Sequence, residues 1–523
     1  MQSTTTVPFP SLDPRTGEER RRFLDATPDE LGKALAAAAR SFTVWGDFDP
    51  ALRVTVLRGI SEELSARRDQ LTATAAAETG LTGQRLAGEI ERTRLQLIQF
   101  AELLENGGHF DAVIDPATPD RPDVRRVDVP LGPVAVFAAS NFPFAFGVAG
   151  TDTAAALAAG CPVVVKGHPS HPETSELIAA AVHTALAAAG APDGVFHLLQ
   201  GSGLGIARAL VTAPGITAVA FTGSLTGGRA LFDLAASRPR PIPVYAEMGS
   251  LNPVFLLPGA LADAAVRLAD AFVESLTASN GQLCTKPGVT FVPRGESGDR
   301  FVARAVDRAG EYPPGTMLNR PMWRHLVAGA AELADRPGVT VLAGGSAPDG
   351  EGSSFPASLV ETGLDTFLTD PALAEERFGP FGVLVRYDTP GDLVRAVASL
   401  DGHLTATVHL GPGDEDDGRR LAAGLTGKVG RLVWNGWPTG VAVTDAMHHG
   451  GPYPASTSAA HTSVGTGGIA RFLRPVAFQN SPQSQLPAPL RDSNPLGITR
   501  RVAGALTTES ITGTTTTEGR AHA

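Results

Sequence analysis

The chain has 523 residues, of which 43% are hydrophobic and 19% are charged, a composition typical of a globular protein with two or three domains. The formal net charge of −11, without a run of basic residues, excludes the usual nucleic-acid-binding surface, so we expect no nucleic-acid partner. Because the chain has two cysteines and its sequence pattern predicts neither a signal peptide nor a membrane span, we expect a cytoplasmic protein.

The first part of the chain predicts helices. Residues 27–30, Thr-Pro-Asp-Glu, form a capping box with proline at the first helical position, so we expect a helix over 27–40. Helical patterns continue over 57–78 and 89–106. Residues 111–129 then contain several prolines and alternating apolar residues, which predict extended strands outside the helical core.

Residues 132–246 alternate regularly between strand and helix patterns. The predicted strands are 134–138, 162–166, 195–199, 217–221 and 242–245. The predicted helices are 150–159, one that is capped at 170–173 and ends near 190, 204–211 and 224–237. This alternation is typical of a doubly wound parallel sheet, in which ligands bind beyond the carboxyl ends of the strands.

A second α/β region is expected over 248–445, where a helix over 260–276 leads towards Cys284. The last residues, 507–523, are rich in threonine, serine and glycine and almost lack apolar side chains. They predict a disordered tail.

Cys284 is the first candidate for chemistry. It lies in a small, polar, glycine-containing segment, 279–285, where a thiol can be reached and its thiolate stabilised. The alternative is a buried structural cysteine, which is the usual state of an isolated cysteine. Cys161, at the start of an apolar strand, fits that alternative.

Two polar residues at strand ends are further candidates. Glu247 follows the last strand of the alternating region, where a carboxylate can act as a general base or merely cap a helix. Asn141 follows the first strand, where its amide can donate to an oxyanion or merely form a turn. Neither position decides between its two interpretations on its own.

Residues 221–224, Phe-Thr-Gly-Ser, end a strand and open a helix, so the N–H groups near them form a candidate pyrophosphate site. They do not match the dinucleotide-binding glycine fingerprint, and the glycine-rich turn 201–205 can be a simple connection. His168 and His171 have the spacing of a metal pair, but further ligands are absent nearby. We therefore expect two surface histidines and no metal site.

Six motifs connect these candidates. They are Ser-Asn-Phe-Pro at 140–143, Val-Val-Lys at 164–166, Phe-Thr-Gly-Ser at 221–224, Glu-Met-Gly at 247–249, Gly-Gln-Leu-Cys at 281–284 and Glu-Arg-Phe-Gly-Pro-Phe at 376–381. In this order they resemble the aldehyde dehydrogenase superfamily, and the resemblance extends from residues 13–17 to 494–498. Residues 135–143, 166–172 and 449–454 resemble the branch of α-ketoglutaric semialdehyde (2,5-dioxovalerate) and fatty aldehyde dehydrogenases.

The resemblance implies the catalytic roles. Cys284 would be the nucleophile that forms a thioester, and Asn141 with the Cys284 backbone N–H would form the oxyanion hole. Glu247 would be the general base that activates water for thioester hydrolysis. The reaction would oxidise an aldehyde to a carboxylate.

The resemblance also implies the coenzyme site. Lys166 would contact the adenosine ribose, and Gly223 and Ser224 the pyrophosphate. Glu376 would hold the nicotinamide ribose, beside which Phe378 would pack. The coenzyme would be NADP or NAD.

We expect NADP to be accepted at least as well as NAD. Lys166 supplies a cation, and Pro169 stands where NAD-preferring relatives often have a carboxylate. Leu204 stands where NADP-preferring relatives often have an arginine, so dual use or a modest NADP preference is expected.

The fold that the resemblance implies is α/β, with two doubly wound domains and a β-strand oligomerisation arm. The expected parts are a coenzyme-binding domain (1–110 and 130–247), a catalytic domain (248–445) and the arm (111–129 with about 470–500). We expect a homodimer or homotetramer.

The substrate is the least determined property. The best match is 2,5-dioxovalerate, and the alternatives are a fatty or other aliphatic aldehyde. Leu283 and Lys286, where this branch commonly has phenylalanine and asparagine, lie beside the nucleophile and are expected to alter aldehyde preference. A catalytically silent protein of the same fold and a cysteine hydrolase are alternatives from other classes; the intact catalytic residues and the coenzyme motifs, respectively, argue against them.

Overall fold

The computed structural model describes residues 8–348 and 352–511, and within them the strands form three large sheets. Two further pairs of strands are antiparallel, Pro8–Leu12 with Glu19–Leu24 and Gly315–Thr316 with Ser354–Phe355. The α/β class predicted from the sequence is confirmed. No helix in this part of the chain is long and apolar enough to cross a membrane.

The first large sheet has five parallel strands. Their order is Phe196–Leu199, Val163–Lys166, Val134–Phe137, Ala218–Thr222 and Val244–Glu247. Alternate strand residues enter two separate hydrophobic clusters, so helices cover both faces and the strands are continuously apolar. The predicted doubly wound sheet is therefore present.

The helices of the first sheet follow the predicted order. They are Pro28–Trp45, Ala51–Ala66, Arg68–Thr79, Gly83–Glu105, Thr151–Ala159, Pro172–Ala188, Leu204–Thr212 and Leu225–Ala236. The capping box of Thr27 and Glu30 is confirmed. The single helix predicted over 57–78 is wrong, because the chain forms two helices that meet at Arg67. The cap predicted at Ser170 is also wrong, since His171 is the N-cap and makes no side-chain cap hydrogen bond.

The second large sheet has seven strands. Their order is Val339–Ala343, Ser358–Gly363, Phe381–Tyr387, Val289–Pro293, Val254–Leu256, His403–His409 and Val429–Trp434, and only the first pair is antiparallel. Its helices are Pro258–Leu261, Ala265–Thr277, Glu296–Glu311, Arg320–Ala334, Leu364–Thr369, Leu393–Ser399 and Glu415–Leu425. The helix predicted over 260–276 is thus divided in two.

The third large sheet joins distant parts of the sequence. Its order is Leu473–Gln479, Val124–Pro130, Val113–Asp115, Arg500–Val502 and Ala505–Thr507. The disordered tail predicted from 507 is wrong for its first residues, because Thr507 pairs with Arg500 and Ile511 packs on the hydrophobic cluster of this sheet. The remainder, 512–523, lies outside the described residues.

Candidate active site

Cys284 lies after a left-handed turn at the end of the helix Ala265–Thr277. Ser279 and Asn280 have φ angles of 52° and 53°, a conformation that costs non-glycine residues roughly 1–3 kcal/mol each. Gln282 holds the turn, since its amide donates to Thr316 O at 3.1 Å and its Oε1 accepts from Leu318 N at 2.8 Å. The surrounding structure therefore stabilises a strained backbone next to the thiol.

The segment beyond Cys284 is held by two buried side chains. The Asn252 amide donates to Cys284 O at 2.8 Å and to Lys286 O at 2.9 Å. The ammonium of Lys286 donates to Arg377 O at 3.0 Å and Phe381 O at 2.8 Å. Lys286 therefore connects the nucleophile segment to the segment that carries Glu376.

The Cys284 thiol is half-buried, and its sulfur lies 3.4 Å from Nε2 of His449. Burial raises the pKa of the Cys284 thiol well above its ordinary value, and the negative charge of Glu247 raises it further, whereas Arg92 lowers it. The sequence predicted that the polar segment stabilises the Cys284 thiolate. That prediction is wrong, because burial and the Glu247 carboxylate raise the thiol pKa more than Arg92 lowers it. The resting group is a thiol that needs a base.

Glu247 is the last residue of the strand Val244–Glu247, as predicted, and its carboxylate is buried. Ser463 Oγ donates to Oε2 at 2.6 Å, and His449 Nε2 lies 3.1 Å from Oε1. Burial alone would raise the pKa of Glu247, but His449 and Ser463 together lower it below its ordinary value. Glu247 is therefore an ionised carboxylate at neutral pH.

Asn141 follows the strand Val134–Phe137 and is buried beside the nucleophile turn. Its Nδ2 donates to Gln282 O at 3.1 Å, and its own carbonyl accepts from Arg85 at 2.6 Å. The backbone N–H of Cys284 has no acceptor among the described residues. The side-chain amide of Asn141 therefore contacts the turn that leads to the Cys284 N–H.

Glu89 holds the segment that follows Asn141 through backbone hydrogen bonds. Its Oε1 accepts from the backbone N–H groups of Phe144 and Ala145, at 2.8 and 2.9 Å. Arg85 lies 3.6 Å from its other oxygen. Both charged residues lie on the helix Gly83–Glu105, which therefore sets the position of Asn141.

Glu376 and Phe378 are half-buried on the segment that precedes the strand Phe381–Tyr387. A Cβ added to Gly249 would lie 2.5 Å from Glu376 Oε2, so a larger residue at this position would displace the Glu376 carboxylate. Burial raises the pKa of Glu376 to about 7, although Lys286 lowers it, and burial lowers the pKa of Lys286 to about 8.

Lys166 ends the strand Val163–Lys166 at the same edge of the first sheet as Glu247. Burial lowers its pKa to about 8, and Asp25 opposes that shift. The Asp25 carboxylate accepts from Ser202 N at 2.7 Å in the glycine-rich turn. A carboxylate that the sequence did not indicate therefore lies near Lys166.

Gly223 and Ser224 connect the same sheet edge to the helix Leu225–Ala236. The N–H of Gly223 donates to Glu247 O at 3.0 Å, so it is not a free donor. Ser224 is the N-cap, and its Oγ accepts from Gly227 N at 3.2 Å. The start of this helix therefore lies next to the strand that carries Glu247.

The prediction of two surface histidines is wrong for His171, which is buried with Nε2 2.8 Å from Ala139 O. A different set of donors comes together, because atoms of Glu247, Cys284 and His449 all lie within 4.8 Å of one another. One nitrogen, Nε2 of His449, contacts both of the other groups. That arrangement can transfer a proton between thiol and carboxylate.

Sequence reasoning missed His449 and Ser463 as site residues. His449 begins the segment 449–454, which carried part of the branch resemblance, so a signal existed. Ser463 lies in an ordinary loop sequence that gives no signal. Beside them is a small, partly open cleft lined by residues of the first sheet and of the C-terminal loops, among them Tyr245, Glu247, His449 and Ser463.

Comparisons with known proteins agree with this geometry. The model of the aldehyde dehydrogenase family matches residues 1–474. The chain is 45% identical over 497 residues to α-ketoglutaric semialdehyde dehydrogenase 2 of Azospirillum brasilense, covering 94% of each chain. It is 43% identical over 491 residues to the α-ketoglutaric semialdehyde dehydrogenase of Acinetobacter baylyi, covering 93% of each.

Solved structures share the fold. A 3,6-anhydro-L-galactose dehydrogenase in complex with NAP has a TM-score of 0.79 at 22% identity, covering 90% of this chain and 96% of that one. Lactaldehyde dehydrogenase from Escherichia coli has a TM-score of 0.79 at 24% identity, covering 91% and 96%. The chain belongs to the aldehyde dehydrogenase family, and it is an enzyme that oxidises an aldehyde with a nicotinamide coenzyme.

Proposed function

We propose that this enzyme oxidises 2,5-dioxovalerate to 2-oxoglutarate through a thioester on Cys284. The observation that carries the mechanism is His449 Nε2, which lies 3.4 Å from the Cys284 sulfur and 3.1 Å from Glu247. The substrate is supported by the two relatives named α-ketoglutaric semialdehyde dehydrogenase, which are 45% and 43% identical over more than nine-tenths of the chain.

Acylation begins with loss of the Cys284 proton. The raised pKa of the thiol means that the sulfur becomes nucleophilic only as a base takes its proton. The neutral imidazole of His449 can accept it at Nε2, and the ionised Glu247 carboxylate, which contacts the same nitrogen, stabilises the imidazolium that forms. The thiolate then adds to the aldehyde carbonyl.

The developing oxyanion lies between Asn141 Nδ2 and the backbone N–H of Cys284. Donors of this kind are worth about 3–4 kcal/mol each in comparable sites. A bound nicotinamide coenzyme would supply the hydride acceptor. Glu376 would hold its ribose, and Phe378 would pack beside that ribose.

Glu247 acts again in the second half of the reaction. Its lowered pKa keeps it ionised, so it accepts a proton from the water that hydrolyses the thioester. The small cleft beside it provides space for that water.

Both coenzymes are accepted, with a modest preference for NADP. The start of the helix after Ser224 binds the pyrophosphate, and Leu204, 87% exposed at the start of the preceding helix, offers an apolar surface to the adenine. Lys166 attracts a 2′-phosphate, and Pro169 does not repel it. Asp25 opposes the phosphate, which limits the preference.

The first large sheet belongs to a coenzyme-binding domain over 1–110 and 130–247, and the second large sheet belongs to a catalytic domain over 248–445. The third sheet is the arm through which a homodimer or homotetramer forms. Its outer strand Leu473–Gln479 leaves one edge unpaired among the described residues, and such an edge can pair with another chain. The cytoplasm is the compartment that suits two unbridged cysteines.

The substrate and the nucleophile can be tested together. We expect reduced coenzyme to form faster with 2,5-dioxovalerate than with pentanal or a long-chain aldehyde, as measured by absorbance. Cys284→Ala should abolish this activity with the fold retained, whereas Cys161→Ala should keep it because Cys161 is buried away from the site. Turnover by Cys284→Ala would contradict the assignment, and equal rates for all aldehydes would contradict the substrate.

The raised thiol pKa predicts the pH dependence of alkylation. Only the thiolate reacts with iodoacetamide, so below the thiol pKa the inactivation rate should rise about tenfold per pH unit. The increase should continue above pH 9. A rate that becomes constant near neutral pH would mean that a thiolate already exists in the resting enzyme.

Glu247→Gln should slow thioester hydrolysis more than acylation, because water activation needs the carboxylate while His449 still takes the thiol proton. Rapid mixing should show a burst of reduced coenzyme followed by a slow steady state. Ser463→Ala is the matched variant: it removes one hydrogen bond from Glu247 and should have a smaller effect in the same phase. Loss of the burst together with the steady state would assign Glu247 to thiol activation instead.

Lys166→Ala should weaken NADP binding more than NAD binding, since only NADP carries the 2′-phosphate. Asp25→Asn should shift the ratio of the two coenzyme affinities towards NADP, because it removes a negative charge near Lys166.

The pKa of Lys166 predicts how this preference changes with pH. Lys166 is protonated below its pKa of about 8, so the NADP preference should be present below that pH and decline above it. Titration of coenzyme fluorescence measures the affinities for NADP and NAD. Equal losses of affinity for the two coenzymes in Lys166→Ala would contradict this assignment of the coenzyme pocket.

A further inference from the structure

One cation near Cys284 makes no direct contact with a carboxylate among the described residues. Arg92, on the helix Gly83–Glu105, makes no hydrogen bond or ion pair with any residue that the structure describes. Its Nε is buried without a partner. A buried, charged donor left in this way is costly unless a ligand satisfies it.

Arg92 lies over the aromatic side chains that border the site. Its guanidinium carbon is 5.7 Å from the centre of the Phe142 ring and 5.8 Å from that of Phe146. The Phe146 ring is in turn 6.5 Å from that of His449. Arg92 is therefore on the Asn141 side of the site, and its charge acts on Cys284 and Glu247.

The neighbouring arginines are already used. Arg85 donates to Asn141 O and pairs with Glu89, whose Oε1 accepts two backbone N–H groups. Arg431, which also acts electrostatically on Cys284, donates to the carbonyls of Gly440 and Pro438. Arg92 is thus the one arginine of these three whose planar fork of donors is unoccupied.

We propose that Arg92 binds the carboxylate of an acidic aldehyde whose carbonyl is attacked by Cys284. This inference rests on the proposed oxidation of 2,5-dioxovalerate and names the group that recognises its acid end. A guanidinium matches a carboxylate with two parallel hydrogen bonds, and cation–π contacts with the rings of Phe142 and Phe146 keep the guanidinium beside the site. An uncharged aliphatic aldehyde would leave the fork empty.

The preference for an acidic aldehyde over a neutral one depends on the charge of Arg92 and on the apolar side chains near it. The two rings near Arg92, Phe142 and Phe146, belong to a hydrophobic cluster with Val441, Val443 and Met447. These side chains suit the methylene chain of any aldehyde and do not discriminate between acidic and neutral ones. The single unpaired cation therefore decides the class of substrate.

Arg92→Gln tests the inference with two substrates, 2,5-dioxovalerate and pentanal. For the acid, we expect kcat/KM to fall about 10- to 100-fold, mainly through KM, because a charge-assisted contact is lost. For pentanal, kcat/KM should fall much less, because only the effect of the Arg92 charge on the Cys284 thiol is lost. Arg94→Gln is the matched control on the same helix, since Arg94 pairs with Glu91 and Ser61 O on another face, and it should leave both substrates unchanged.

The possible outcomes distinguish a failure of the Arg92 inference from a failure of the proposed function. Equal losses for both substrates would overturn the inference, because Arg92 would then act on the thiol or on the fold. A variant that keeps the wild-type preference for the acid would also overturn it and leave the proposed function intact. If the wild type itself does not prefer the acid, the proposed function fails instead.

A second variant covers a failure of Arg92→Gln to fold. Arg92→Lys keeps the charge but loses the fork, so its KM for the acid should lie between those of the wild type and the glutamine variant. As a measurement without turnover, 2-oxoglutarate should protect Cys284 of the wild type from iodoacetamide and protect Arg92→Lys less. Undiminished protection and an unchanged KM would overturn the inference.

Discussion

The imidazole of His449 lies between the Cys284 thiol and the Glu247 carboxylate, and the proposed catalytic chemistry depends on that contact. Its Nε2 contacts both groups, one from the nucleophile turn and one from the end of a sheet strand. The imidazole helps to keep Glu247 ionised, whereas burial and Glu247 keep the thiol protonated. The proton that must move therefore has a base within reach and a carboxylate that stabilises the result.

Much of the remaining structure holds these groups at that distance. The turn before Cys284 has two non-glycine residues with positive φ, and Gln282, Asn252 and Lys286 hold it to three different segments. Such strain persists only where the surroundings stabilise it, and here the stabilising groups are buried polar side chains with satisfied hydrogen bonds. A rigid nucleophile segment is the consequence.

The helix Gly83–Glu105 connects positioning with recognition. Arg85 and Glu89, one turn apart, hold the segment that carries Asn141, and Arg92 is presented to the site from the same helix. Because one rigid element carries all three, the oxyanion donor and the proposed carboxylate site keep a constant separation. In the proposed site, a short acidic aldehyde would be bound at both ends.

The sequence alone determined the α/β class, the first sheet and the candidates Cys284, Glu247, Asn141, Lys166 and Glu376, because strand periodicity and short motifs are local properties. It did not determine the two helices that meet at Arg67, the buried His171 or the ordered residues after Thr507, which depend on packing against distant segments. The protonation states were decided by the tertiary structure, since burial and the charges of remote residues set the pKa of Cys284. His449, Ser463 and Arg92 lie 165, 179 and 192 residues from Cys284 along the chain, and only folding reveals that they meet around one thiol.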